Sequence, residues 1–336
     1  MAFLANLFSR ASKRANMSAI LKKIIVAACV LAAVLLPFVL EDFRVFQLNL
    51  VLIYAIAILG LNILTGYGGQ ISLGHGAFYA VGAYTSAILI SQLGMSAYLT
   101  IPIAGVVCLV MGVLMGFPAL RLAGHYLALA TFALAIATPQ LLKYKGIEHW
   151  TGGVQGIILD KPTPPFGLTL FGNELSEDRW LYLVILAIAL GLFWLAHNLL
   201  SGRVGRAIVA IRDQPTAAAA LGINLTFVKT ATFGLSAAYT GIAGALSALA
   251  VAYIAPDSFP AFLSISLLVG VVVGGLGSIS GAIFGALFIQ FVPNVADEMS
   301  KSAPWAVYGA MLLALAYAAP NGVMGILQKI KKGRQT

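Results

Sequence analysis

The sequence predicts an all-α polytopic membrane protein, and three observations point to this fold class. Of the 336 residues, 60% are hydrophobic and only 9% are charged, whereas soluble domains contain about 25% charged residues. The apolar residues form long runs, and the charged residues fall mostly in the gaps between them. The 35 glycines and 13 prolines are spread through the apolar runs, which excludes a disordered or a collagen-like chain.

Ten apolar runs approach the length of about 20 residues that a helix needs to cross a bilayer. The predicted spans are 24–40, 46–64, 70–91, 98–117, 124–142, 180–200, 227–253, 262–276, 280–296 and 304–327. The first run has 17 residues, which is longer than the apolar region of a signal peptide, so we expect it to be retained. An even number of spans places both termini on the same side.

The charge distribution predicts that this side is the cytoplasm. With the N-terminus inside, the inner segments hold 14 of the 20 basic residues and one of the 11 acidic residues, as expected for short cytoplasmic loops. We therefore predict a basic amphipathic N-terminal segment at 1–23, one transmembrane domain at 24–327 and a basic tail at 328–336. The net charge of +9 does not indicate nucleic-acid binding, because the basic residues do not form a face on a soluble module.

Two loops are long enough to carry structure of their own. The loop at 143–179 is predicted to lie outside, and its five acids and its Pro/Gly-rich stretch favour a partly structured external cap. The loop at 201–226 is predicted to lie inside.

A glycine-rich segment follows the second predicted span. Residues 64–89 read LTGYGGQISLGHGAFYAVGAYTSAIL, which places glycines and polar side chains in an apolar region. Non-helical backbone at membrane depth is tolerated only inside protein or beside a water-filled cavity, so we expect a broken or re-entrant helix on the substrate pathway. The candidate pathway residues here are Gly66, Gly68, Gly69, Gln70, Ser72, Gly74, His75 and Gly76.

A second segment of this kind, GVVVGGLGSISGAIFG, occupies residues 270–285. Paired glycine-interrupted segments indicate an internal repeat whose interface houses the substrate. The half-helix N-termini would present free N–H groups to a carboxylate; alternatively, the glycines only permit close helix packing. The candidate pathway residues here are Gly274, Gly275, Gly277, Ser278 and Ser280.

Enzyme and metal chemistry find no support in the sequence. His75 is a polar residue inside a span and thus a functional candidate, although one neighbouring carbonyl group could also satisfy it structurally. The histidines and cysteines lack metal-ligand spacing, so we expect no metal site. Walker A, HExxH and GxSxG motifs are absent, and no Gly-Lys dipeptide occurs. If ATP drives this protein, another chain binds it.

The inner loop reads SGRVGRAIVAIRDQPTAAAALGINLTFVK from residue 201 to 229. Val204, Ile208 and Ile211 give a short helix an apolar stripe among arginines. Pro215 disfavours helix at the residue before it, and an Ala-rich helix at 216–221 should end at Gly222. Such an exposed helix-turn-helix is suited to docking in a partner's groove, the alternative being a basic loop that rests on lipid.

Several motifs together resemble one transporter family. The matching stretches are LTGYGGQISLGHGAFYAVGAY, YLALATFALA, TGGVQGI, GRVGRAIVAIRDQPTAAAALGI, VVGGLGSISGAIFGA and PNGVMGI. They are similar to the permease subunits of branched-chain amino acid ABC importers, of the LivM type. The resemblance implies that the inner loop couples to an ATPase. It carries this role to Arg203, Gly205, Arg206, Ala207, Ala210, Arg212, Asp213, Ala217, Ala218 and Gly222.

The resemblance also implies a location and a set of partners. The location would be the bacterial inner membrane, and the cargo would be Leu, Ile or Val. The partners would be a second, homologous permease, two ATPase subunits that bind ATP and Mg, and a periplasmic or lipid-anchored binding protein. A urea or short-chain amide ABC permease has similar architecture and stays open as an alternative, as does a secondary carrier without an ATPase.

Overall fold

The computed structural model describes residues 27–119, 124–164, 169–170, 173–174, 176–301 and 303–333. Within these ranges the chain is mainly helical. The helices are α1 (Ala27–Val39), α2 (Asp42–Asn62), α3 (His75–Leu93), α4 (Ala97–Ala119), α5 (His125–Leu142), α6 (Glu148–Thr151), α7 (Glu177–Ser201), α8 (Arg203–Asp213), α9 (Pro215–Ala220), α10 (Leu225–Val251), α11 (Ala261–Gly274), α12 (Gly281–Met299), α13 (Pro304–Ala318) and α14 (Gly322–Gly333). A π-helical turn, Ile63–Tyr67, extends α2.

Seven helices of the described residues are long and apolar enough to cross a membrane. They are Asp42–Tyr67, His75–Leu93, Ala97–Phe117, His125–Leu142, Glu177–Ser201, Leu225–Val251 and Pro256–Gly274. Helices also lie in the described parts of the predicted spans 24–40, 280–296 and 304–327, but they do not reach that combination of length and hydropathy. The structure therefore confirms a polytopic all-α membrane protein, while the count of ten spans and the orientation of the termini stay predictions.

The packing centre of the bundle is α10, which lies against α2, α3 and α4. A Cβ atom on Gly82 of α3 would lie 2.0 Å from the carbonyl oxygen of Gly241, and one on Gly244 would lie 2.0 Å from the carbonyl oxygen of Tyr79. The backbones of α3 and α10 are therefore in direct contact. In a bilayer, such small-residue contacts stabilise helix pairs through van der Waals packing.

The long loop at 143–179 contains short elements, as expected for a partly structured cap. Strand β1 (Ile157–Ile158) pairs antiparallel with β4 (Tyr253–Ile254), which follows α10, and β2 (Thr169–Leu170) pairs with β3 (Asn173–Glu174). Lys143 forms an ion pair with Asp257. This loop and the segment after α10 therefore lie at the same end of the bundle. The predicted order of spans also puts them on the same side of the membrane.

Two of the predicted spans depart most from the helices in the structure. The predicted span 70–91 begins as a helix only at His75. The predicted span 304–327 is two helices, because Pro320 and Asn321 form a turn between α13 and α14. Gly322 has φ +70°, and a Cβ there would lie 2.5 Å from Gly275. The predicted N-terminal segment 1–23 lies outside the described residues, and so does the end of the tail 328–336.

Candidate functional site

The first glycine-rich segment reverses the chain between α2 and α3. After the π turn, the N–H groups of Gly68 and Gln70 donate to the carbonyl oxygens of Ile63 and Leu64, both at 3.1 Å. Residues 68–74, named here the first break, contain no helix. The non-helical backbone predicted for this segment is therefore present, and its role in transport stays a prediction.

The first break runs back into the bundle. The helix Asp42–Tyr67 has 26 residues, which corresponds to about 39 Å at 1.5 Å per residue and exceeds the hydrocarbon thickness of about 30 Å. Tyr67 therefore lies at one end of the bundle. His75 instead lies near the level of Gly60, about 10 Å before Tyr67 along the helix, because both residues contact the hydroxyl group of Ser236. Helix α3 thus begins inside the bundle.

His75 is fully buried and uses both ring nitrogens within the protein. The hydroxyl group of Ser236 donates its single proton to the carbonyl oxygen of Gly60 at 2.5 Å, so its oxygen accepts from His75 Nε2 at 2.6 Å. His75 Nδ1 then accepts from the Ser72 hydroxyl group at 3.0 Å. In this hydrogen-bond order, a neutral His75 imidazole carries its proton on Nε2.

Three backbone amides at the start of α3 donate hydrogen bonds to side-chain oxygens. The expectation that these N–H groups are free to bind a carboxylate is therefore wrong at three positions. Leu73 donates to Thr131 Oγ1 of α5 at 2.9 Å, and Gly76 donates to Ser264 Oγ of α11 at 2.8 Å. The amide of Gly74 donates to Ser72 Oγ at 3.3 Å. A helix N-terminus buried in apolar surroundings must satisfy its N–H groups internally.

Close packing also explains two glycines of this segment. A Cβ on Gly74 would lie 2.7 Å from the Thr131 carbonyl oxygen, and one on Gly76 would lie 2.6 Å from Ser264 Oγ. Of the other predicted pathway residues, Gly66, Gly68 and Ser72 are buried, Gln70 is half-buried and Gly69 is exposed.

The second glycine-rich segment is a tight hairpin between α11 and α12. Residues 275–280, named here the second break, separate Gly274 from Gly281. A Cβ on Gly274 would lie 2.1 Å from the Gly281 carbonyl oxygen. Gly275 has φ +115° and Gly277 has φ +71°, a backbone conformation that favours glycine. Ser278 is half-buried and Ser280 is exposed.

The end of α2 and the second break meet at Asn62, a residue that the sequence interpretation missed. Asn62 is 1% exposed. Its Nδ2 donates to the Ser278 carbonyl oxygen at 2.8 Å, and its Oδ1 accepts from the Gly277 amide at 2.9 Å. The available signal was an asparagine inside the apolar run 51–64, four residues before Gly66 and thus on the same helix face.

The inner loop folds as the predicted helix-turn-helix, with α8 and α9 separated at Gln214. Gly222 has φ +81° just beyond α9. The predicted apolar stripe is wrong at Val204, which is 53% exposed, whereas Ile208 and Ile211 are buried. Because the chain turns tightly between α7 and α8, with no room for a Cβ on Gly205, Gly205 replaces Val204 on the buried face.

The residues predicted to couple to an ATPase differ in exposure. Gly205 and Ala218 are buried, and Ala207 and Ala210 are half-buried. The exposed members are Arg203, Arg206, Arg212, Asp213, Ala217 and Gly222.

Arg212 points toward the first glycine-rich segment. Its Nη1 donates to the Gly66 carbonyl oxygen at 2.9 Å, and its Nε donates to Asp213 Oδ1 at 2.8 Å. A Cβ on Gly69 would lie 2.6 Å from Arg212 Cγ. The arginine stem therefore packs directly on the first break.

In the described part of the chain, no group of three or more His, Cys, Asp or Glu side chains could hold a metal ion.

A polytopic helical bundle with two glycine-rich breaks, and with an exposed basic helix-turn-helix against one of them, has the organisation of a membrane permease. The chain belongs to the family described as branched-chain amino acid transport system, permease component, which matches residues 44–319.

Individual relatives support this assignment. The chain is 33% identical over 340 residues to the high-affinity branched-chain amino acid transport system permease protein LivM of Salmonella typhimurium, covering 94% of this chain and 79% of that protein. LivM of Escherichia coli K12 gives the same identity and coverage. The permease LivH of Escherichia coli K12 is 25% identical over 81% of this chain and 91% of its own length. These relatives are transport subunits and not enzymes. No solved structure matches the chain.

Proposed function

We propose that the chain is a permease subunit of an ABC importer in the bacterial inner membrane and that it translocates leucine, isoleucine and valine. The observation that carries this proposal is the position of α8. Its Arg206 is exposed at the surface, while its Arg212 donates a hydrogen bond to Gly66 in the glycine-rich segment between α2 and α3. A partner that moves α8 would thereby move the broken helices.

The proposed partners follow from the chain and from its relatives. The sequence contains no Gly-Lys dipeptide and therefore no Walker A loop. ATP and Mg would be bound by two separate ATPase subunits. The chain is similar to both LivM and LivH of one organism, which supports a second, related permease beside it. A periplasmic or lipid-anchored binding protein would deliver the amino acid.

The proposed topology has ten spans with both termini in the cytoplasm. It includes the three helices that are short or less apolar, α1, α12 and α13, and its inner segments hold most of the basic residues. In this topology α8, α9 and both breaks belong to the cytoplasmic half of the bundle. The internal repeat belongs to the same proposal.

We place the substrate pathway beside the exposed parts of the two breaks. Gly69 and Gln70 of the first break, with Ser278 and Ser280 of the second, are at least partly accessible. The buried members Ser72, Gly74, His75 and Gly76 would shape this path without contacting the substrate. Closure of the ATPases on ATP would shift the bundle between two arrangements with alternating access.

The experiment reconstitutes the chain with its partner permease, the ATPases and the binding protein in proteoliposomes. We expect leucine uptake that depends on ATP. We further expect Arg206→Glu to lower the amount of ATPase that co-purifies, since it reverses an exposed charge at the docking face. Arg44→Glu, at the end of α2 that is farthest from α8, should not change this amount.

Two results would contradict the proposal. Leucine uptake by the chain alone without ATP would make it a secondary carrier. Uptake of urea or short-chain amides in place of leucine would assign the other cargo class.

A further inference from the structure

Three elements meet at Gly66. Its carbonyl oxygen accepts a hydrogen bond from Arg212 of α8 at 2.9 Å. On its other side, a Cβ would lie 2.0 Å from Asn62 Oδ1 and 2.4 Å from the Gly277 amide nitrogen. The inner helix, the end of α2 and the second break are therefore in contact through this one residue, with no space between them.

The guanidinium group of Arg212 is oriented for this contact. It is planar, and its Nε is held by Asp213 Oδ1 at 2.8 Å, so the direction of Nη1 toward Gly66 is fixed as well. Gly69 has φ +66° and leaves no room for a Cβ beside the arginine stem. A rigid displacement of α8 would therefore be transmitted to the backbone of Gly66 and Gly69.

Asn62 continues this connection to the second break. Its side-chain amide is buried and pairs with the backbone at both Gly277 and Ser278. Separation of α2 from the second break would leave these buried polar groups without partners, which is costly in a protein interior. The end of α2 and the second break are thus expected to move together.

We infer that Arg212 and Asn62 are positioning residues that transmit the displacement of α8 to both breaks. Arg212 links α8 to the first segment at Gly66, and Asn62 links that segment to the second break. This inference rests on the proposed function and refines it: Arg212 acts toward the interior of the permease, while Arg206 faces the ATPase.

The first experiment separates assembly from coupling in the complete importer. Arg212→Gln should leave the ATPases bound and hydrolysing ATP, but lower leucine uptake per ATP hydrolysed by about tenfold, within the range of typical coupling energies. Arg212→Lys should restore part of the ratio, because an ammonium group can still donate to Gly66. Arg44→Gln, at the far end of α2, is the control and should keep the ratio of the unmodified importer.

The second experiment follows backbone hydrogen exchange in the same complex with and without a non-hydrolysable ATP analogue. In the unmodified importer the analogue should change exchange in α8, in residues 63–74 and in residues 275–280. In Arg212→Gln the change should remain in α8 and disappear from both other segments. In Asn62→Ser it should disappear only from residues 275–280, which a purely structural role of these side chains would not produce.

The outcomes distinguish this inference from the proposed function. Loss of the ATPases in Arg212→Gln, with uptake per ATP unchanged in the complexes that remain, would make Arg212 a docking residue and overturn the inference alone. Normal uptake in Arg212→Gln, or exchange changes that persist in both breaks, would also overturn it. Absence of ATP-driven leucine uptake in the unmodified importer would refute the proposed function, and the inference with it.

Discussion

His75 illustrates how a single buried residue can determine where a helix begins. Its ring joins Ser72 in the first break to Ser236 in α10, and Ser236 in turn holds the carbonyl group of Gly60 in α2. Three separate segments are therefore fixed at the start of α3. A histidine in a span is a functional candidate by default, but in this arrangement the imidazole holds three segments together by hydrogen bonds.

Gly66 provides a residue-scale test with a matched control. In Gly66→Ala the new methyl group would lie 2.0 Å from Asn62 Oδ1 and displace that side chain. We expect a loss of about 1–3 kcal/mol in stability, typical of overpacking, together with reduced leucine uptake in proteoliposomes. Thermal unfolding in detergent measures the first effect.

The control is Gly191→Ala in α7, where an added Cβ meets no atom within 4 Å. Because alanine is the better helix former, this variant should be neutral or up to about 1 kcal/mol more stable. Equal behaviour of the two variants would show that the contact at Gly66 carries no constraint.

At the scale of elements, the cap formed by the loop at 143–179 is attached to the helix bundle by a short strand pair. Gly156 precedes β1 with φ +76°, and a Cβ there would lie 2.2 Å from the Ile254 carbonyl oxygen. The pairing of Ile157 with Ile254 depends on this close approach. The Lys143–Asp257 ion pair is partly exposed, and exposed ion pairs contribute little.

Gly156→Val should therefore release the cap and leave the membrane helices in place. We expect protease added at the cap side to cut within 143–179 about tenfold faster, since local opening governs cleavage. Val154→Ala, at an exposed position of the same loop, is the control. An unchanged cleavage rate in Gly156→Val would mean that the strand pair does not hold the cap.

At the scale of the whole molecule, the proposed topology makes a prediction about accessibility. With Cys29 and Cys108 replaced by alanine, single cysteines at Lys145 and Glu298 should react with a membrane-impermeant maleimide from outside the cell. Cysteines at Arg206 and Lys329 should react only after the membrane is permeabilised. Labelling of the Glu298 position only after permeabilisation would contradict the last two spans.

The sequence predicted the helices well, because the bilayer imposes a minimum length on each apolar run. It also predicted both breaks, since glycine and serine clusters are unusual inside such runs. The turn between α13 and α14 was missed although Pro320 and Gly322 are typical of a helix end.

Contacts between residues that lie far apart in the sequence could not be predicted. Asn62 and Gly277 are 215 residues apart, and nothing in the spacing of a sequence connects two such positions. The same holds for Arg212, because it is exposed and only the fold shows that its guanidinium group meets Gly66. Patterns along the chain report periodicity and composition, whereas these contacts depend on tertiary packing.

The contact between α3 and α10 has a practical consequence for purification. It rests on backbone atoms touching at Gly82, Gly241 and Gly244, so it does not depend on which apolar solvent surrounds the protein. Helices α5 and α7 have most of their surface outside the bundle, so their stability depends more on the surrounding lipid or detergent. Detergent extraction should therefore preserve the block of α2, α3, α4 and α10, and any delipidation damage should begin at α5 and α7.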